Sequence, residues 1–281
     1  MSKSTVFVPG KLILSGEHAV VYGKMALAAS ISLGVKVSVN EGEQTDKTEV
    51  VKKAIEVAGG DENIPVKIKS DLPVGSGLGS SAAVAAATIR AVREYLGRPI
   101  NEEELFKLTF ECEMIAHGNA SGLDPATVVY GGLIAYTKGQ PFERLKTKQP
   151  IKLLLLNSGK PMESTKEMIE LVASKQENIA LIDQIEKIVK QVRMGLEKGE
   201  GVADLLNQNG LLLEELGVVG EKAKQLSAEL RNLGASVKIS GAGGVKTGSG
   251  MMIAMKDDLT QIKELLDNKQ IDYFETVIGE K

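Results

Sequence analysis

A glycine-rich loop followed by an alanine-rich run, within residues 71–88, constrains the fold more than any other part of the chain. Its glycines alternate at Gly75, Gly77 and Gly79, and two serines precede the alanines. Glycine allows tight turns and close approach to a ligand, serine is a favoured helix N-cap, and alanine is the strongest helix former. The pattern predicts a loop of accessible N–H groups that leads into a helix beginning at about Ser81.

Backbone N–H groups at a helix N-terminus form a ready anion site, so we interpret this loop as a holder of nucleotide phosphates. The alternative is a flexible turn before a buried helix, because a lone glycine-rich loop is a weak signal. The loop is not a Walker A motif, since no Gly-Lys-Ser/Thr closes it. It is not the Rossmann fingerprint either, because Ser80 stands where that pattern needs its third glycine.

Length and composition restrict the class of protein. The 281 residues suit one large domain or two modest ones. A net charge of −3 gives no electrostatic case for nucleic acid or a membrane surface as a partner. No run of 18 apolar residues and no signal-peptide pattern is found. The single cysteine, Cys112, excludes an internal disulfide and fits a reducing compartment, so we expect a cytoplasmic protein.

Hydrophobic periodicity divides the chain into two halves. In the first half we predict four strands and three helices: strands 4–9, 35–39, 66–69 and 133–136, and helices 49–58, 81–96 and 102–116. Glycines and prolines interrupt any pattern at 138–150. The second half is predicted as strand 151–156, helices across 163–232, strands 235–239 and 251–255, helix 256–266 and strand 273–278. This order predicts an α+β protein with domains 1–148 and 149–281, the second with helices on one face of an antiparallel sheet.

Four stretches, taken together, carry a resemblance that covers nearly the whole chain in order: Lys11–Gly23, Pro73–Ala83, His117–Gly132 and Lys238–Gly244. The set resembles the GHMP kinase superfamily, which phosphorylates small molecules such as galactose, homoserine, mevalonate and phosphomevalonate. The first and third stretches are most similar to mevalonate kinases of the archaeal type. The resemblance implies a two-domain fold, with an N-terminal α/β nucleotide-binding domain and a C-terminal ferredoxin-like α+β domain.

The implied function is ATP- and Mg²⁺-dependent phosphorylation of the primary hydroxyl of mevalonate to 5-phosphomevalonate, a step of isoprenoid precursor synthesis. Alternatives are another GHMP enzyme, such as phosphomevalonate kinase or a family decarboxylase, and a catalytically silent member that binds nucleotide and metabolite. Family members often form homodimers, so a homodimer is a possible assembly.

The resemblance also implies a nucleotide and metal site. Ser81 would offer its hydroxyl and Glu113 its carboxylate to Mg²⁺, a metal that prefers oxygen ligands. Without the resemblance, Glu113 is expected to be a solvated helix residue, like its neighbour Glu111. The implied phosphate-binding residues are Pro73, Gly75, Gly77, Leu78, Gly79, Ser80, Ser81 and Ala82.

For the chemistry, the resemblance assigns Asp124 to accept the proton of the substrate hydroxyl or to orient that hydroxyl. Lys11 would lie beside Asp124, favour its charged form and face the transferred phosphoryl group. The residue types alone also permit a turn aspartate before proline and an exposed lysine at a strand start.

The implied substrate-binding residues are Lys11, Glu17, His18, Asp124, Thr165, Gly241 and Ala242. Glu17 is expected to partner Lys11, whereas His18 is equally well explained as a structural residue. Thr165 or its neighbour Ser164 has a helix N-cap as an equally good explanation. Residues 240–250 form the third glycine motif, which departs from the family because residues 245–247 (Val-Lys-Thr) are inserted in it. We therefore treat Lys246 as a candidate extra positive charge near the phosphates.

Overall fold

The structure, a computed structural model, describes residues 3–40, 47–73, 75–117 and 121–279. It is a mixture of helices and sheets, as predicted. The strands are Ser4–Ser15 (β1), Met25–Val39 (β2), Val66–Ser70 (β3), Leu133–Thr137 (β4), Glu143–Leu145 (β5), Ile151–Asn157 (β6), Ser236–Ile239 (β7), Met251–Met255 (β8) and Tyr273–Ile278 (β9). The α-helices are Glu49–Val57 (α1), Ser80–Tyr95 (α2), Glu102–His117 (α3), Leu123–Tyr130 (α4), Thr165–Ala173 (α5), Asn178–Lys198 (α6), Ala203–Glu215 (α7), Glu221–Asn232 (α8) and Thr260–Asn268 (α9), and a short 3₁₀ helix spans Ala19–Tyr22.

The chain forms two compact units. The first unit comprises Met1–Lys11, Ser30–Pro73 and Gly79–Gly131, and the second comprises Leu12–Ala29, Val74–Leu78 and Gly132–Lys281. These units group the chain differently from the predicted domains, because β1 and β2 are long enough to contribute to both. The domain boundary between residues 148 and 149 stays a prediction.

The first unit is built around the alanine-rich helix α2. Its alanines are buried on almost every side, and α2 packs against α1, α3 and α4. Buried residues cover most of its surface, which places α2 in a core, and small side chains let its neighbours approach closely. Residues 35–39 of β2 pair antiparallel with β3 in this unit. The helix that follows the glycine loop is therefore a rigid support.

Two local expectations in this region differ from the structure. Strand β1 continues through Pro9 to Ser15, although the sequence suggested that it ends at Pro9. Strand β1 lies at the edge of the sheet order β1-β2-β4-β5, where a proline removes no required ladder bond. Helix α4 begins at Leu123, so Asp124 lies in the first turn of a helix and not in an irregular turn before Pro125, the alternative that the residue types permit. Proline is tolerated in the first turn of a helix because its missing N–H would have no partner there.

The second unit contains a four-stranded antiparallel sheet in the order β7-β8-β6-β9. The prediction of an antiparallel sheet in the second half is confirmed. Strand β6 is central, and its residues 153–156 are all buried leucines, as expected of an interior strand. Helices α7 and α8 pack against β7. In the described part of the chain, no helix combines the length and the apolar character that crossing a membrane requires.

Candidate active site

The glycine loop joins α2 one residue earlier than predicted. Gly79 is the N-cap, with φ 70°, so Ser80 and Ser81 both lie in the first helical turn. A Cβ atom at position 79 would come within 2.7 Å of Lys11 Cγ, so the site requires glycine rather than a capping serine. No side chain of the described residues caps this helix start. Its first N–H groups are therefore available to an anion.

Lys11 and Asp124 form an ion pair in the first unit, with 3.0 Å between Lys11 Nζ and Asp124 Oδ1. Lys11 is buried, and its stem lies against Gly79 at the end of the glycine loop. The Asp124 side chain keeps one third of its surface exposed, at 33 %. The expected proximity of these two residues is confirmed, and the alternative of an exposed Lys11 is wrong. Lys11 therefore contacts both the solvent-accessible carboxylate of Asp124 and the N-cap residue of α2.

Ser81 and Glu113 are two oxygen-bearing residues of the same unit. Ser81 Oγ is buried and has no hydrogen-bond partner among the described residues. Glu113 is only 5 % exposed, so the expectation of a solvated helix residue is wrong. Glu111, in contrast, is exposed and pairs with Lys53 at 3.2 Å, as expected of a surface residue. Burial of a charged carboxylate costs free energy unless a counter-charge, hydrogen bonds or a metal ion compensate for the lost water. The burial of Glu113 therefore points to a structural or ligand-binding role rather than to a surface position.

Cys112 lies between these two glutamates and is buried. Burial raises the pKa of the Cys112 thiol to about 12, so the thiol stays protonated at neutral pH. The prediction of a packing role is therefore supported, since a nucleophilic cysteine needs a thiolate.

The other predicted phosphate-loop residues differ in burial. Gly75 and Gly77 are exposed, Leu78 and Ala82 are buried, and Pro73 is half-buried. Val74 lies outside the described residues, as do residues 118–120. The buried Leu78 anchors the loop and Gly79 is buried as well, whereas Gly75 and Gly77 stay accessible, which suits a ligand loop.

In the second unit, Glu17 forms an ion pair with Lys238, and both side chains are fully buried. Lys238 Nζ also donates hydrogen bonds to the carbonyls of Ile13, at 3.3 Å, and Ile239, at 2.6 Å. Sequence reasoning missed Lys238 as an individual residue. The available signal was a single charged residue between the apolar Val237 and Ile239 of the short strand β7. The expected pairing of Glu17 with Lys11 stays a prediction.

His18 holds the third glycine motif in the same unit. Its Nε2 donates to the carbonyl of Ala242 at 3.0 Å. Burial of the ring lowers the pKa of His18 to about 4, mainly by desolvation of the charged form. The residue is strained as well, since its φ is 60°. The structural alternative for His18 is therefore supported, and direct substrate contact by His18, Gly241 and Ala242 stays a prediction.

The depressed pKa of His18 predicts a pH dependence of stability. The unfolded chain binds a proton near pH 6.5 and the folded chain only near pH 4, so the free energy of unfolding falls as pH decreases through this window. We expect a loss on the order of 3 kcal/mol between pH 7 and 4, measured by urea unfolding. In His18→Asn, which tolerates positive φ, this part of the pH dependence should vanish. An identical slope in the variant would contradict the assignment to His18.

The inserted residues 245–247 are tied to the segment before α5. The backbone N–H groups of Val245 and Lys246 donate to Glu163 Oε1, at 3.4 and 3.0 Å. Thr247 Oγ1 donates to the carbonyl of Lys160 at 2.9 Å. The inserted residues are therefore held in place by three hydrogen bonds. The proposed positive charge of Lys246 near the phosphates stays a prediction.

Thr165 is the exposed first residue of α5, and Ser164 is its N-cap. The Ser164 hydroxyl accepts from the N–H of Glu167, and the Glu167 carboxylate accepts from the N–H of Ser164, which completes a capping box. The capping explanation is thus correct for Ser164. Substrate binding by Thr165 stays a prediction.

Comparison with known proteins agrees with this arrangement. Residues 47–132 match the family described as GHMP kinases N terminal domain. The mevalonate kinase of Archaeoglobus fulgidus is 34% identical over 84% of this chain and 88% of that protein. The mevalonate kinase of Pyrococcus furiosus is 36% identical over 84% of this chain and 85% of its own length. The crystal structure of the Methanococcus jannaschii mevalonate kinase shares the fold, with a TM-score of 0.86, 22% identity and 99% coverage of both chains. The chain therefore belongs to the GHMP kinase family, within which the two relatives compared above are mevalonate kinases.

Proposed function

We propose that this chain transfers the γ-phosphoryl group of ATP to the primary hydroxyl of mevalonate and releases ADP and 5-phosphomevalonate. One observation carries the proposal. The buried Lys11 holds the carboxylate of Asp124 at 3.0 Å while its stem lies against Gly79, the N-cap of α2. The names of the curated relatives support mevalonate as the acceptor.

Phosphoryl transfer requires positioning and charge neutralisation more than covalent chemistry from the protein. The accessible N–H groups of the glycine loop and of the first turn of α2 bind the phosphates. Asp124 orients the attacking hydroxyl and accepts its proton, for which its partly exposed carboxylate is suited. The ammonium group of Lys11 keeps that carboxylate in place and faces the transferred group. Glu17 and His18 position the segment that leads away from Lys11.

Ser81 and Glu113 fit Mg²⁺. The metal prefers hard oxygen ligands and keeps several waters, so one hydroxyl and one carboxylate are a typical protein share. Ser81 Oγ is buried without a protein partner among the described residues, and Glu113 is a buried carboxylate in the same unit. Bound there, Mg²⁺ would neutralise phosphate charge.

The alternatives are less well supported. The fold does not separate mevalonate from phosphomevalonate as substrate, because one fold hosts many activities. Sequence identity of 34% and 36% to two mevalonate kinases favours mevalonate. A silent family member is disfavoured because the four residues that the proposed chemistry needs are all present, namely Lys11, Ser81, Glu113 and Asp124.

The test is ADP release with ATP and Mg²⁺ in the presence of mevalonate, phosphomevalonate, galactose or homoserine. We expect the highest kcat/KM with mevalonate and a product phosphorylated on its primary hydroxyl. Absence of turnover with every acceptor would reject the kinase proposal. Faster turnover of phosphomevalonate than of mevalonate would show that the chain is a phosphomevalonate kinase instead.

Ser81→Ala tests the proposed metal ligand. We expect the Mg²⁺ concentration for half-maximal rate to rise about tenfold and kcat to fall, because a single oxygen ligand is lost. Thr88→Val is the matched control, since the Thr88 hydroxyl is another buried group of α2 without a partner among the described residues. Its metal dependence should equal that of the wild type. An unchanged Mg²⁺ requirement in Ser81→Ala would place the ligand elsewhere.

A further inference from the structure

Lys160 lies against the first glycine of the phosphate loop. A Cβ atom built on Gly75 would come within 3.0 Å of Lys160 Cε and within 3.5 Å of its Cγ and Cδ. The aliphatic stem therefore runs along the backbone of Gly75, and the ammonium group is one bond beyond the nearest atom. Because Gly75 is exposed, this places a positive charge at the accessible surface of the loop.

The ammonium group of Lys160 carries its charge at an exposed position. No carboxylate of the described residues lies within 4.0 Å of its ammonium group, and the side chain is exposed. Other lysines of this unit, such as Lys24 and Lys263, are held by glutamates or aspartates. A lysine that packs its stem and leaves its ammonium group unpaired is available to an external anion.

The backbone around Lys160 is fixed by the third glycine motif. Ser158 Oγ donates to the carbonyl of Gly250 at 2.8 Å, and the Gly250 N–H donates to the carbonyl of Gly159 at 2.9 Å. The next residue, Met251, donates its N–H to the carbonyl of Ser76 at 3.2 Å. Residues 250–251 therefore hold both the segment that carries Lys160 and the phosphate loop itself.

The inserted residues complete this support. Thr247 Oγ1 donates to the carbonyl of Lys160 at 2.9 Å, and Glu163 binds the two preceding N–H groups. The inserted residues 245–247, which depart from the family pattern, thus include the residue that binds the backbone of Lys160.

We propose that Lys160 is a phosphate-binding residue of the nucleotide site, and that Thr247 positions it over Gly75. The ammonium group contacts an oxygen of the polyphosphate chain bound by the glycine loop. Lysine serves such sites as a compact point charge rather than a bidentate fork. The inference rests on the proposed function, because it requires the loop to bind a nucleotide.

The test measures dissociation constants by calorimetry for ATP, ADP and AMP on the full chain. In Lys160→Met we expect the Kd for ATP and ADP to rise about tenfold, the usual effect of losing one charge-assisted hydrogen bond. The Kd for AMP should rise less, and Lys160→Arg should stay within a few-fold of the wild type. Lys166→Met is the control, since Lys166 is an exposed lysine on the adjacent helix, and its affinities should not change.

Thr247→Val tests the positioning role. We expect a smaller rise in the Kd for ATP than in Lys160→Met, and no further rise when Thr247→Val is added to Lys160→Met. Equal effects of Thr247→Val in both backgrounds would overturn the positioning role.

Unchanged affinity for ATP and ADP in Lys160→Met would overturn the assignment of Lys160. A weakened affinity for mevalonate with unchanged nucleotide affinity would also overturn it. Failure of the proposed function is distinguishable, because a wild-type protein that binds ATP but phosphorylates no acceptor still permits the binding comparison.

Discussion

Asp124→Asn is expected to lower kcat for mevalonate phosphorylation about 1,000-fold, within the range found for the loss of a general base. The amide keeps the size of the carboxylate but cannot accept the proton of the hydroxyl. Affinity for ATP should stay within a few-fold of the wild type, because the glycine loop and the first turn of α2 are unchanged. Steady-state kinetics and calorimetric nucleotide binding measure the two quantities separately.

Asp204→Asn is a matched control for this variant. Asp204 and Asp124 are each the second residue of a helix, α7 and α4, so both substitutions remove a similar interaction with a helix N-terminus. The control should retain wild-type kcat. If Asp124→Asn also stays within a few-fold of wild type, Asp124 is not the base.

The ion pair with Lys11 adds a second readout. Asp124→Asn leaves the buried Lys11 ammonium group without this carboxylate, so the thermal midpoint should fall as well. If the two residues act as a unit, Lys11→Met combined with Asp124→Asn should lower kcat little more than either change alone. Multiplicative losses would assign them independent roles.

Local features of the chain were predictable because they depend on neighbouring residues. Alternating glycines followed by alanines specify a loop and a buried helix, and the antiparallel sheet of the second half follows from its strand pattern. The proximity of Lys11 and Asp124 was different. Periodicity does not connect residues so distant in sequence, and only the resemblance to GHMP kinases suggested it.

The features that the sequence did not predict depend on contacts between residues that are distant in the chain. Pro9 does not end β1, because the strand lies at a sheet edge. Gly79 rather than a serine caps α2, because the Lys11 stem fills the space that a side chain would need. Glu113 is buried by packing that no local pattern reveals. Lys238 was overlooked because a lysine in a strand normally indicates a solvated position, and its partner Glu17 is distant in sequence.

That buried pair leads to the largest expected effect on stability. Lys238→Met should lower the free energy of unfolding by about 3–5 kcal/mol, because it removes the counter-charge of Glu17 inside the protein. Urea unfolding, analysed by linear extrapolation, gives the free energy. Lys263→Met is the control, since Lys263 and Glu275 form a surface pair with side chains 35% and 58% exposed. Exposed pairs contribute only about 0–1 kcal/mol, so the control should remain near wild type.

A second substitution separates the cost of an unpaired charge from the cost of lost packing. If the instability of Lys238→Met arises from Glu17, then adding Glu17→Gln should restore much of the free energy of unfolding, because neither charge of this buried pair remains. The carbonyls of Ile13 and Ile239 would still lack the Lys238 donor, so recovery should be incomplete. Equal destabilisation of the single and double variants would attribute the effect to these carbonyls instead. A Lys238→Met protein within 1 kcal/mol of the control would reject a stabilising role for the pair.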